Sequence, residues 1–177
     1  IVECWAAPIQ VDAAWKNGAY DPKEQPMTGL IETIRLTFVT AVSHAFVAKA
    51  YGDAWADPQR DPLASLDNEY RAHASIGTIA SVGAVQCDAN HFLYMVRACN
   101  AYDVTARIGE AKAKFLFLPA ESDILFLPFM SEEAVAQIRA AGGKAELVTL
   151  KGSGGHLDGL NVIAQARQPI VDFLNSN

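Results

Sequence analysis

Over roughly the first hundred residues the apolar positions recur at helical spacing, and no run alternates with the period of a strand. Leu30, Ile34, Phe38 and Val42 follow one another at intervals of four, which predicts a helix over residues 28–50 with Thr28 as its N-cap. Lys16-Asn17-Gly18 and Asp21-Pro22-Lys23 read as turns, and Asp57-Pro58 and Asp61-Pro62 make a loop of residues 53–67. A further helix is predicted from Asp88-Ala89-Asn90 through Arg97. From Lys112 the pattern changes. Residues 114–118 form a short continuous apolar run, as in a strand buried on both faces. A helix over 131–141 follows, opened by Ser131 and closed by Gly142-Gly143, then a strand over 146–150. A last amphipathic helix is predicted over 159–174, kinked or broken at Pro169.

Strand, helix, strand, helix is the order of βαβ units around a parallel sheet, so the fold class is α/β. Two strands do not make a stable open sheet by themselves, and the remaining strands are expected to come from a portion preceding Ile1. The opening Ile1-Val2-Glu3-Cys4-Trp5 has neither methionine nor a basic leader, which fits a processed product or a fragment.

The 177 residues suffice for one sizeable core. A net charge of −6 offers no basic face for nucleic acid, and no apolar run approaches the length of a membrane span. Cys4, Cys87 and Cys99 lack metal-site spacing and do not suggest a disulfide framework. No residue cluster requires a metal, and no bound cofactor is expected. The compartment is left open, with cytoplasm as the default and a secreted or periplasmic location as the alternative.

Reactive groups in open α/β sheets gather beyond the C-terminal strand ends. After the first predicted strand comes Glu121-Ser122-Asp123, and after the second comes Gly152-Ser153-Gly154-Gly155-His156. On adjacent strands, about 4.8 Å apart, Asp123 could orient His156 as a general base. Glu121 is the alternative acid. The order acid then histidine is that of a hydrolase triad, yet no G-x-S-x-G elbow occurs in these residues. Ser153 has no strand-to-helix elbow before it and reads as a loop residue. His91 and Tyr94 sit at helical spacing and read as packing residues.

Several segments resemble the C-terminal half of the homoserine O-acetyltransferase family, divergent bacterial members above all. They are Trp5-Ala6-Ala7-Pro8-Ile9, residues 12–20, 26–30 and 87–94, Ser122-Asp123-Ile124-Leu125-Phe126, and Gly154-Gly155-His156-Leu157-Asp158-Gly159. The resemblance implies the C-terminal part of an α/β-hydrolase fold, with residues 1–107 as a mostly helical lid and 108–177 as the end of the core. It also implies a serine on a preceding segment or a second chain, and acyl transfer from acetyl-CoA or another acyl-CoA to a small alcohol by a ping-pong route. Asp123 and His156 would be the catalytic acid and base. Arg35 and Asp158 would be the substrate-binding residues, although Arg35 is displaced by one position from the family's lid arginine and Asp158 stands two positions after the histidine. Ester hydrolysis on the same fold, a homodimer through the lid, and a fragment without catalysis are all compatible with these residues.

Overall fold

The computed structural model describes residues 2–176. In chain order the elements are α1 (Val2–Val11), α2 (Met27–Ala41), α3 (His44–Ala50), α4 (Arg71–Ala84), α5 (Ala89–Ala101), β1 (Phe115–Phe117), α6 (Pro128–Ala140), β2 (Ala145–Leu147), α7 (Asp158–Asn161) and α8 (Arg167–Asn175). They divide into two compact units, Ile1–Val39 with Tyr51–Tyr102, and Thr40–Ala50 with Asp103–Asn177. Residues 40–50, within the stretch expected as lid, group with the second unit.

In the first unit α1 packs on α5, and Ile9, Leu30, Ala84 and Ala89 form the buried core. Helix α2 lies so close to α1 that a Cβ on Gly29 would sit 2.4 Å from the Pro8 carbonyl oxygen. Its cap is not Thr28, which already lies inside the helix. The Gly29 N–H instead donates to the Asp12 carboxylate at 2.8 Å, while the other Asp12 oxygen accepts from Ala14 N at 2.9 Å. The helix expected to reach residue 50 stops at Ala41, because the buried Ser43 accepts from Phe46 N through its Oγ at 3.0 Å and opens α3 as a separate element.

Two of the segments singled out in the sequence dock on each other here. Trp15 Nε1 donates to Asn90 Oδ1 (2.9 Å), and Asn90 Nδ2 donates to the Gly18 carbonyl (2.9 Å). The Tyr20 hydroxyl donates to Asp88 (2.7 Å) and accepts from Asn90 N (3.0 Å). To present these groups the chain runs through three successive left-handed residues, Lys16, Asn17 and Gly18, with φ of 50°, 54° and 90°. Asp88 also caps α5 by accepting from His91 N at 2.8 Å, where the sequence predicts a helix to start. That backbone bond, helped by Tyr20, holds the Asp88 carboxyl below its ordinary value, while burial, with Asp88 beside it, pushes the Tyr20 phenol up.

Asp88→Ala is expected to lower stability by about 1–2 kcal/mol, the usual cost of losing an N-cap. A carboxyl with a depressed folded pKa stabilises above its unfolded value, ordinarily 3.8, and loses that contribution as pH falls through the lower folded value. Thermal unfolding at pH 7 and near pH 3 should therefore show a smaller difference between wild type and Asp88→Ala at the lower pH.

In the second unit β1 and β2 pair in parallel, with Phe115, Leu116 and Phe117 opposite Ala145, Glu146 and Leu147. Val135 and Ile138 of α6 bury Ala145 and pack on Phe115, Phe117 and Leu147. The β1 residues are half-buried rather than buried on both faces. Among the described residues this sheet has two strands, so neither is flanked on both sides. Helix α6 begins at Pro128 rather than Ser131, since proline at the first helical position lacks only an N–H that would go unpaired anyway. It ends as predicted, with Gly142 left-handed (φ 83°) and Gly143 N donating to the Ile138 carbonyl.

Strand β2 ends at Leu147, short of residue 150. Pairing resumes at Ala120 and Leu150, where Leu150 N donates to Pro119 O (2.8 Å) and Glu121 N donates to Leu150 O (3.0 Å). Pro119 contributes no N–H, so the ladder is interrupted beside it. The last predicted helix is broken earlier than Pro169. Helix α7 ends at Asn161, a 3-10 turn covers Ile163–Ala166, and α8 carries Pro169 in its first turn without losing an intrahelical bond. Among the described residues no single helix is long and apolar enough to cross a membrane.

Candidate active site

Beyond the ends of β1 and β2 the chain makes two loops, and the three residues 121–123 each bond to the other loop. Glu121 pairs with Lys151 Nζ at 2.9 Å and accepts from Gly152 N at 3.0 Å. The Lys151 ammonium, seconded by the Gly152 N–H, holds the Glu121 carboxyl below its ordinary range. The Ser122 hydroxyl accepts from Gly155 N at 3.0 Å and lies 3.4 Å from an Asp158 oxygen. Asp123 Oδ2 lies 2.8 Å from His156 Nδ1.

The structure thus brings Asp123 and His156 together and gives Glu121 a different partner. Asp123 is 6% exposed, and its second oxygen accepts from the backbone N–H groups of Leu125 (2.8 Å) and Phe126 (2.9 Å). Three donors converge on this carboxylate, which fixes its plane. An ionised carboxylate only accepts, so the imidazole carries its proton on Nδ1, and Nε2 is left as an acceptor. The histidine side chain remains 43% exposed. The Phe126 ring stands 5.2 Å from the imidazole, centre to centre, and a cleft of about 200 Å³ is lined by Leu118, Ala120, Asp123, Phe126, Ser131 and His156. A base oriented by a buried acid and opening on a small cleft can take a proton from a hydroxyl and return it to a leaving group.

Asp158 is placed otherwise than a residue reaching for a substrate amine. It is 3% exposed, and its Oδ2 accepts from Gly154 N at 2.7 Å, so its carboxylate is committed to its own loop. Arg35 belongs to the first unit. Its guanidinium bonds Glu32 (3.0 Å) and the His73 carbonyl (3.2 Å), and it lies against Gly77, joining α2 to α4. Ser153 contributes its carbonyl, which accepts from Ser43 Oγ. His91 donates its backbone N–H to the α5 cap, and Tyr94 is largely exposed. Sequence reasoning missed Ser122 and Phe126 as neighbours of the histidine. The adjacency of Ser122 to Asp123 was the available signal. Among the described residues no group of His, Cys, Asp and Glu is arranged to hold a metal.

No protein-family model matches this chain. It is 26% identical over 173 residues to a homoserine O-acetyltransferase of Methanosphaerula palustris, covering 94% of this chain and 35% of that protein. It is 24% identical over 178 residues to the homoserine O-acetyltransferase of Pelagibacter ubique, covering 95% and 47%. Among solved structures, esterase E22 superposes with a TM-score of 0.86 at 31% identity over 98% of this chain and 49% of its own. The homoserine O-acetyltransferase of Bacillus anthracis also gives 0.86, at 22% identity, over 100% and 48%. The chain therefore spans half or less of the length of these relatives, and its fold is the C-terminal half of an α/β-hydrolase.

Proposed function

We propose that this chain, which resembles the C-terminal half of the homoserine O-acetyltransferase family, supplies the acid and base of a serine-dependent acyl-transfer enzyme whose nucleophile lies outside these 177 residues. The observation that carries this reading is the 2.8 Å contact of His156 Nδ1 with a buried Asp123 already held by two backbone donors. His156 Nε2 takes the serine proton as the serine oxygen attacks the acyl carbon of a thioester or ester. It then delivers that proton to the departing thiolate or alkoxide. In the second half His156 takes the proton of an alcohol or of water as its oxygen attacks the acyl carbon, and returns that proton to the departing serine oxygen.

An acyl-CoA donor and an alcohol acceptor follow the homoserine O-acetyltransferase resemblance. Ester hydrolysis is the second reading, favoured by the higher identity to an esterase. Arg35 has a lesser claim as the acceptor's carboxylate partner, since its guanidinium is already bonded to Glu32.

Treating the active enzyme that contains this chain with a fluorophosphonate should modify one serine outside residues 1–177, and His156→Ala should abolish the labelling. Labelling of Ser153, or labelling that survives the His156 change, would rule this reading out. Multiple-turnover release of free CoA that requires an alcohol, beyond the single equivalent released on acylation, separates the transferase from the hydrolase.

A further inference from the structure

The loop that carries His156 is built around one buried carboxylate. Asp158 Oδ2 accepts from Gly154 N (2.7 Å) and lies 3.4 Å from Ser122 Oγ, which itself accepts from Gly155 N (3.0 Å). The fit leaves no room for a side chain. A Cβ on Gly152 or on Gly154 would fall 2.3 Å from an Asp158 oxygen, and one on Gly155 would fall 2.6 Å from Ser43 N. Gly155 is itself left-handed, with φ of 72°, and the next residue is His156. The residue after Ser122 is Asp123, so this small network joins the backbone immediately before the base to the backbone immediately before the acid.

We infer that Asp158 is a positioning residue for the acid–base pair, acting through Gly154, Ser122 and Gly155 as a hydrogen-bond acceptor and not through its charge. The inference rests on the reading of Asp123 and His156 given above. Both recorded bonds fall on a single oxygen, Oδ2. An asparagine whose carbonyl oxygen takes that place keeps both, whereas alanine keeps neither. A substrate-ammonium role for Asp158 makes the opposite demand, because it needs the negative charge.

The test is the ring nitrogen and ring proton NMR signals of His156 in the active enzyme that contains this chain, for wild type, Asp158→Asn, Asp158→Ala and Ser122→Ala, with Asp123→Asn as the control. Wild type should show a single tautomer with the proton on Nδ1 and a downfield, slowly exchanging Nδ1 proton, and Asp123→Asn should lose both. Asp158→Asn should match wild type, and Asp158→Ala and Ser122→Ala should mix the tautomers. If Asp158→Ala fails to fold, Ser122→Ala decides, since it removes the acceptor for Gly155 N and leaves the carboxylate buried. A wild-type enzyme without the fixed tautomer overturns the acid–base reading itself. A fixed tautomer that survives Asp158→Ala, or survives Ser122→Ala where that variant decides, overturns the positioning role alone. Mixed tautomers in Asp158→Asn overturn the acceptor mechanism, as does a KM for an amine-bearing acceptor raised tenfold or more by that substitution in the active enzyme.

Discussion

His156→Ala in the active enzyme is expected to lower kcat by about 10⁴-fold or more while leaving the fold intact. The rate loss follows from removing the group proposed to accept the nucleophile's proton, and triads that lose one member fall by about this factor. The fold should survive because the side chain is 43% exposed and Asp123 keeps its bonds from Leu125 and Phe126. Asp123→Asn should cost a similar factor for a different reason. An asparagine amide turned toward Nδ1 donates where the carboxylate accepted, so the imidazole proton moves to Nε2 and the base is blocked. Glu121→Gln should leave kcat within a factor of two or three, since that carboxylate serves Lys151 and Gly152. Steady-state rates with an aryl acetate measure all three. A fall of less than tenfold for His156→Ala, or equal losses for Glu121→Gln and Asp123→Asn, would remove the assignment.

Gly155→Ala should produce a much larger loss of stability than Gly142→Ala. The left-handed backbone at φ 72° costs an alanine about 1–2 kcal/mol. The new Cβ would also stand 2.6 Å from Ser43 N and 2.7 Å from the Ala41 carbonyl, both backbone atoms that cannot rotate away. Overpacking of this kind adds about 1–3 kcal/mol, and for a chain of this size the sum corresponds to a fall in melting temperature of roughly 5–15 °C. Gly142→Ala is the control, because its φ of 83° carries the same backbone penalty with nothing near the added methyl. Comparable melting temperatures for the two variants would mean that the close approach of residues 41–43 to the glycine loop contributes nothing.

Much of this arrangement is legible in the chain because the signals are local. Asp88-Ala89-Asn90 marks the start of α5, Gly142 closes α6, and the apolar run at 114–118 marks β1. The pairing of Asp123 with His156 can be named from sequence since both follow strand ends. What escapes the sequence depends on partners far along the chain. The cap of α2 comes from Asp12, 17 residues before the N–H it serves, so Thr28 looked sufficient. Helix α1 contains Pro8, and α4 contains Gly77 and Gly83 and has no capping side chain at Tyr70, so both carry residues that argue against a helix. The choice between Glu121 and Asp123 turned on Lys151, whose side chain captures the nearer carboxylate. The inward course of Asp158 depended on three glycines, and the absence of a side chain does not say what fills its place.

The stitching of residues 121–123 also bears on how this corner can change over generations. Each of the three side chains meets a different point of the opposite loop, Glu121 at Lys151 and Gly152, Ser122 at Gly155 and Asp158, Asp123 at His156. Inserting or deleting one residue between Ala120 and Asp123 would move every contact to the wrong address at once. Drift here should therefore proceed by exchanging side chains at constant spacing, while segments such as residues 57–68, whose side chains bond mainly within the segment itself, are free to grow or shrink.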